Sequence, residues 1–105
     1  MKSSTFYTGE RHDNQSFRVK KEGYIEEFDG FRLCAFKSED NKWWIIEEIT
    51  GLACVQKPLR NLKEAFKIGV DNLKRFAKDK TIPEFIALYD NVNLYKEWKN
   101  DTNKQ

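Results

Sequence analysis

The stretch Trp43–Val55, WWIIEEITGLACV, constrains the fold more than any other. Two runs of strand length flank Thr50-Gly51, and side chains along a strand alternate between its faces. The pattern predicts a strand Trp43–Ile49, a turn, and a strand Leu52–Lys57. The same pattern stands upstream. Asp29-Gly30 lies between Tyr24–Phe28 and Phe31–Lys37. An Asp-Gly pair there marks a tight hairpin, because both central turn positions need positive φ. Ser38–Lys42 is a polar loop. Phe17–Lys20 reads as a short edge strand ending at a Lys21-Glu22-Gly23 turn. An antiparallel meander of three to four strands is expected.

The turns suggest a register. Lys37 opposite Trp43 places Phe36 against Trp44, Cys34 against Ile46 and Arg32 against Glu48. Phe28 opposite Phe31 places Glu27 against Arg32. Ile49 opposite Leu52 places Glu47 against Cys54. One face then carries Tyr24, Phe28, Phe31, Leu33, Ala35, Trp43, Ile45, Ile49, Leu52 and Cys54, and is the expected core face. The other carries Ile25, Cys34, Phe36, Trp44, Ile46, Ala53 and Val55, with Glu27, Arg32 and Glu48 at one end. The two cysteines fall on opposite faces, so no disulfide is expected.

Two helices follow. Asn61-x-x-Glu64 resembles a capping box, and the helix is expected to run to about Lys78. Leu62, Ala65, Phe66, Gly69, Val70, Leu73, Phe76 and Ala77 form its apolar stripe. Thr81-Ile82-Pro83-Glu84 starts a second helix, with Phe85, Leu88, Tyr89, Val92, Tyr95 and Trp98 as its stripe. The fold class is α+β: a meander followed by two helices. Residues 1–16 are polar and read as a flexible arm, 17–99 as a single domain, and 100–105 as a polar tail. One helix should cover the core face; which element covers the other face is open.

At 105 residues the chain is long enough for one domain with a real core. Aromatics must do most of the packing, since Val and Leu are scarce. No apolar run approaches the roughly 18 residues of a membrane span. The first residues lack the apolar segment of a secretory leader, and two cysteines make no disulfide scaffold. These features point to a cytosolic protein. The charge is unevenly distributed. Residues 24–56 set Arg32, Lys37 and Lys42 against Glu26, Glu27, Asp29, Glu39, Asp40, Glu47 and Glu48. Residues 57–80 are rich in Lys and Arg. An acidic sheet region therefore precedes a basic helix.

Few residues suggest catalysis. His12 is the single histidine, too few with two separated cysteines for a four-coordinate zinc site. Cys34 and Cys54 sit mid-strand among apolar neighbours, where cysteine is an inert hydrophobe. Glu47 falls on the core face; a hydrogen bond to the Thr50 turn explains it better than acid catalysis does. The glycines show no phosphate-loop spacing. No enzyme and no cofactor are expected. Trp43, Trp44, Tyr89, Tyr95 and Trp98 exceed what thin stripes need, and exposed aromatics anchor protein contacts. Phe36 and Trp44 could also stack bases, but Glu27 and Glu48 share their face.

Trp43-x-Ile45-x-Glu47-x-x-Thr50-Gly51-Leu52, followed by Asn61-x-Lys63-Glu64-Ala65, resembles small proteins of phages and mobile elements of Gram-positive bacteria. Those show a W-x-[IV]-x-E-x-x-T-G hairpin and a T-x-K-E-A helix start; Asn61 stands where Thr is usual. Small proteins of such elements include anti-CRISPR inhibitors. The resemblance implies a non-enzymatic inhibitor of a host defence nuclease, such as a Cas9-type effector, acting sterically in the host bacterial cytosol. Glu26, Glu27, Asp29, Phe36, Glu39, Asp40, Trp44 and Glu48 are the candidate protein contacts. The alternative is a nucleic-acid-binding regulator that uses Lys63, Lys67, Lys74, Arg75 and Lys78 of the first helix.

Overall fold

The computed structural model describes residues 2–99. Strands β1 (Lys2–His12), β2 (Gln15–Phe28), β3 (Phe31–Lys37) and β4 (Trp43–Glu47) form an antiparallel sheet in meander order. Helices α1 (Leu62–Phe76) and α2 (Ile82–Leu88) follow, then a 3-10 turn at Val92–Leu94 and a short strand β5 (Lys96–Glu97) parallel to β2. The architecture is α+β. No helix among the described residues is long and apolar enough to cross a membrane.

The central pairings follow the expected register. Phe28 faces Phe31 and Glu27 faces Arg32; Phe36 faces Trp44 and Cys34 faces Ile46. Asp29 and Gly30 take φ of 53° and 85°, as the tight hairpin requires. Most of the core face is also as expected, but Tyr24, placed on it, is 37% exposed, and Trp44, placed on the opposite face, packs against the helix-side cluster. Phe31, Leu33, Ala35, Ile45 and Cys54 are buried with Ala65, Phe66, Leu73 and Phe85 from the helices. Helix α1 begins at Asn61, whose side chain accepts from the Glu64 amide at 2.9 Å. Gly69 lets α1 lie close to β4: a Cβ there would stand 2.8 Å from Ile45 Cγ2.

Four further expectations fail, each for a physical reason. Residues 2–12 are strand β1, not an arm. Asp13 and Asn14 take φ of 52° and 65° and form a two-residue turn, so His12 faces Gln15 and the ladder runs to Lys2 opposite Ile25. Both residue types tolerate this conformation, and the alternating pattern around them is weakly apolar. Second, no turn forms at Lys21-Glu22-Gly23. Strand β2 runs through Gly23, where a Cβ would stand 1.8 Å from the Ala35 carbonyl oxygen. Glycine therefore keeps the strand continuous where it passes β3.

Third, Leu52–Lys57 is not a regular strand. It touches β4 through an isolated bridge, Ile46 to Ala53, and Leu59 bridges to Trp43. The turn is longer than the expected two residues, because Glu47 N–H donates to the Leu52 carbonyl at 2.9 Å. Val55 joins the main core instead of the opposite face; Ala53 is exposed and, bridged to Ile46, keeps its expected side. Fourth, α2 stops at Leu88. Tyr89 is extended, and Asn91 caps the following 3-10 turn through the Asn93 amide. Leu88, assigned to the helix stripe, is 58% exposed. The polar tail at 100–105 lies outside the described residues.

The face opposite the helices has its own covering. Phe6 from β1 is buried with Ile25, Cys34 and Ile46, and Phe36 packs against this second cluster. The β1–β2 ribbon closes part of that face. At its far tip Trp98 stacks on His12 with ring centroids 3.8 Å apart and meets Phe17 edge-on.

Candidate protein-binding site

Phe36 and Trp44 are cross-strand neighbours at the β3–β4 loop end, both half-buried. With Lys37 at the end of β3 and Ser38, Glu39 and Asp40 from the loop they line an open concavity of about 580 Å³. The ribbon supplies the remaining wall, Glu10 and Lys21. Lys21 Nζ lies 5.5 Å from the Phe36 ring centre and 3.4 Å from a Glu10 carboxylate oxygen. The loop is pre-organised. Ser38 Oγ accepts from the Lys42 amide at 3.3 Å, Asn41 takes a φ of 61°, and the Ser38 hydroxyl donates its one proton to Asp40 at 2.5 Å. That hydrogen bond, helped by Asp40's own backbone amide and by Lys42 at 3.8 Å, holds the Asp40 carboxyl below its ordinary range. Glu39 and Asp40 are exposed.

Four of the eight expected contacts therefore share one site: Phe36, Trp44, Glu39 and Asp40. The others do not join them. Glu48 is 3.5 Å from Arg32, and Glu27 faces Arg32 across the ladder. Asp29 occupies the hairpin turn. Glu26 faces Leu33 in the ladder and borders α1 beside Lys63, Lys67 and Asp71. The expectation of one continuous acidic sheet surface is thus corrected: alternation sends Glu26 and Glu27 to opposite faces, and Lys21 and Lys37 mix cations into the concavity. Glu10 was missed because residues 1–16 read as an arm, and Lys21 because Lys21-Glu22-Gly23 read as a turn. The Asp13-Asn14 pair, both tolerant of positive φ, was the signal that could have revealed the hairpin.

The groups that could suggest catalysis serve structure. Glu47, 1% exposed, accepts from the Thr50 amide at 2.8 Å, the Thr50 hydroxyl at 2.7 Å and the Ile49 amide at 3.1 Å. It holds the turn from inside the core face. Cys34 and Cys54 are both buried thiols and form no disulfide with each other. Burial pushes Cys54 up to about 12, and Cys34 is also raised by burial, with Glu48 adding to the shift. No cluster of three metal-ligating side chains occurs among the described residues.

The basic residues of α1 form a separate surface. Lys63, Lys67 and Lys74 recur on its exposed side, with Lys67 3.8 Å from Asp71 and Lys74 over the Phe28 ring at 5.4 Å. Arg75 bonds the Asn72 side chain, and Lys78 follows the helix end. No known family model, curated protein or solved structure matches the chain.

Proposed function

We propose that this chain is a non-enzymatic interaction protein that binds a partner through the Phe36–Trp44 concavity. The observation that carries the reading is the meeting of two half-buried aromatic rings with the exposed Glu39 and Asp40 on a loop held rigid by Ser38. Aromatic anchors give a contact its free energy, and flanking carboxylates select a basic counterpart and speed encounter. Resemblance of the Trp43–Leu52 hairpin to small mobile-element proteins suggests the partner class: a nuclease of host defence, such as a Cas9-type effector, whose nucleic-acid channel is basic. Occupying that channel is steric inhibition and needs no chemistry from the chain.

The test is target-DNA cleavage by a purified Cas9-type effector with and without the protein, repeated with E39K/D40K and with Trp44→Ala. Inhibition by the wild type that both variants lose supports the reading. Undiminished cleavage at saturating protein, or inhibition that both variants retain, contradicts it.

A second reading rests on the exposed lysine row of α1, which suits a phosphate backbone. Binding to duplex DNA that weakens steeply with salt and disappears in Lys63→Glu/Lys67→Glu would favour it, because each phosphate contact releases a counterion.

A further inference from the structure

We propose that two copies of this chain pair edge to edge through β1, antiparallel about Phe6, to make one continuous sheet. The sheet has two ends, and they differ. At the β4 end the segment Leu52–Leu59 covers the backbone: Cys54 donates to Ile45, and Trp43 and Leu59 exchange hydrogen bonds of 2.6 and 3.0 Å. At the β1 end no described strand lies alongside.

The turn determines which backbone groups of β1 face outward. With Asp13 and Asn14 both at positive φ, His12 and Gln15 close a two-residue hairpin, and the flanking pair is hydrogen-bonded. Even-numbered residues of β1 therefore bond to β2, and Ser3, Thr5, Tyr7 and Gly9 direct their N–H and C=O away from it. Among the described residues the contact these groups make is a 3.3 Å hydrogen bond from the Ser4 hydroxyl to the Thr5 carbonyl. Natural sheet edges are usually blunted by proline, bulges or charges. Ser3–Gly9, SSTFYTG, has no proline and no charge, and the ladder to β2 has no bulge.

The charges of β1 lie at its ends and select the occupant. A two-fold axis at Phe6 sets Lys2 opposite the second copy's Glu10, and Glu10 opposite its Lys2. Ser4 then meets Thr8, Thr5 meets Tyr7, and Phe6 meets Phe6. Hydroxyl, aromatic and opposite-charge pairs are all favourable cross-strand neighbours. The outward groups of Ser3, Thr5, Tyr7 and Gly9 bond to those of Gly9, Tyr7, Thr5 and Ser3. The pairing is isologous and closes on itself as a dimer.

Sedimentation velocity over a concentration series tests this. The wild type should pass from monomer to dimer as concentration rises. Thr5→Pro removes an outward N–H and leaves the β2 ladder intact, so it should raise the dimer Kd by roughly thirtyfold or more. Lys2→Glu and Glu10→Lys should each weaken self-association, and an equimolar mixture of the two should restore it. A wild type that stays monomeric to its solubility limit overturns the proposal, as does a dimer that Thr5→Pro leaves unchanged while far-UV circular dichroism shows the fold intact. If Thr5→Pro unfolds, the charge variants decide alone: no weakening, or no rescue in the mixture, also overturns it.

Discussion

Glu47 shows how a single residue can look functional and be structural. A carboxylate at a core-face position of a strand normally signals either a site or a margin, and here its two oxygens bind three donors of the turn that follows. Removing it strands a buried hydroxyl and two amides. Glu47→Ala should cost about 3 kcal/mol in urea unfolding, and Glu47→Gln clearly less, since the amide keeps one acceptor. Equal losses would show that the hydrogen bonds are not what holds the turn. The thiols make a second prediction. In the unfolded chain they ionise near their ordinary 9.0, whereas in the fold both are raised, Cys54 to about 12. Above pH 9 the unfolded chain therefore releases protons that the native state keeps. Stability should be unaffected by these groups below pH 9 and fall as pH rises from 9 towards 12. Cys34→Ala/Cys54→Ala should flatten that alkaline slope; an unchanged slope would refute the assignment.

At the scale of elements, the sequence was legible where turn chemistry was unambiguous. Asp29-Gly30 and the Ser38–Lys42 loop set the pairings of β2, β3 and β4, and Asn61 and Thr81 mark the two helix starts. It misled where one pattern admitted two structures. Phe85, Leu88, Tyr89, Val92 and Tyr95 keep helical spacing, yet only Phe85 and Leu88 belong to α2, which ends before Asp90-Asn91. Asn91 caps a new turn, and Val92 amide bonds to the Ile49 carbonyl at 2.9 Å, a tertiary contact that overrides the local period. Strand β1 was missed for the opposite reason: it has one buried aromatic, Phe6, and its other buried side chain is Thr8. Phe6→Ala should therefore be costly, about 3 kcal/mol by chemical denaturation, because it opens the small core with Ile25, Cys34 and Ile46. A cost near zero would mean that β1 contributes little to this face.

For the whole molecule, the division of labour between the two faces is the central point. Helices α1 and α2 close one face of the sheet, and the β1–β2 ribbon, rather than a helix, closes part of the other. The candidate site was half visible from the sequence. Phe36, Trp44, Glu39 and Asp40 could be placed together from turn registers alone, but the wall formed by Glu10 and Lys21 depends on contacts between segments far apart in sequence. The most direct measurement is amide hydrogen exchange across residues 2–12. A ribbon paired with β2 predicts slow exchange at Phe6, Thr8 and Glu10, whose amides point into the ladder. Uniform exchange at unprotected rates through all of 2–12 would mean that these residues form no strand, and both the second core and the ribbon wall of the binding site would be lost with it.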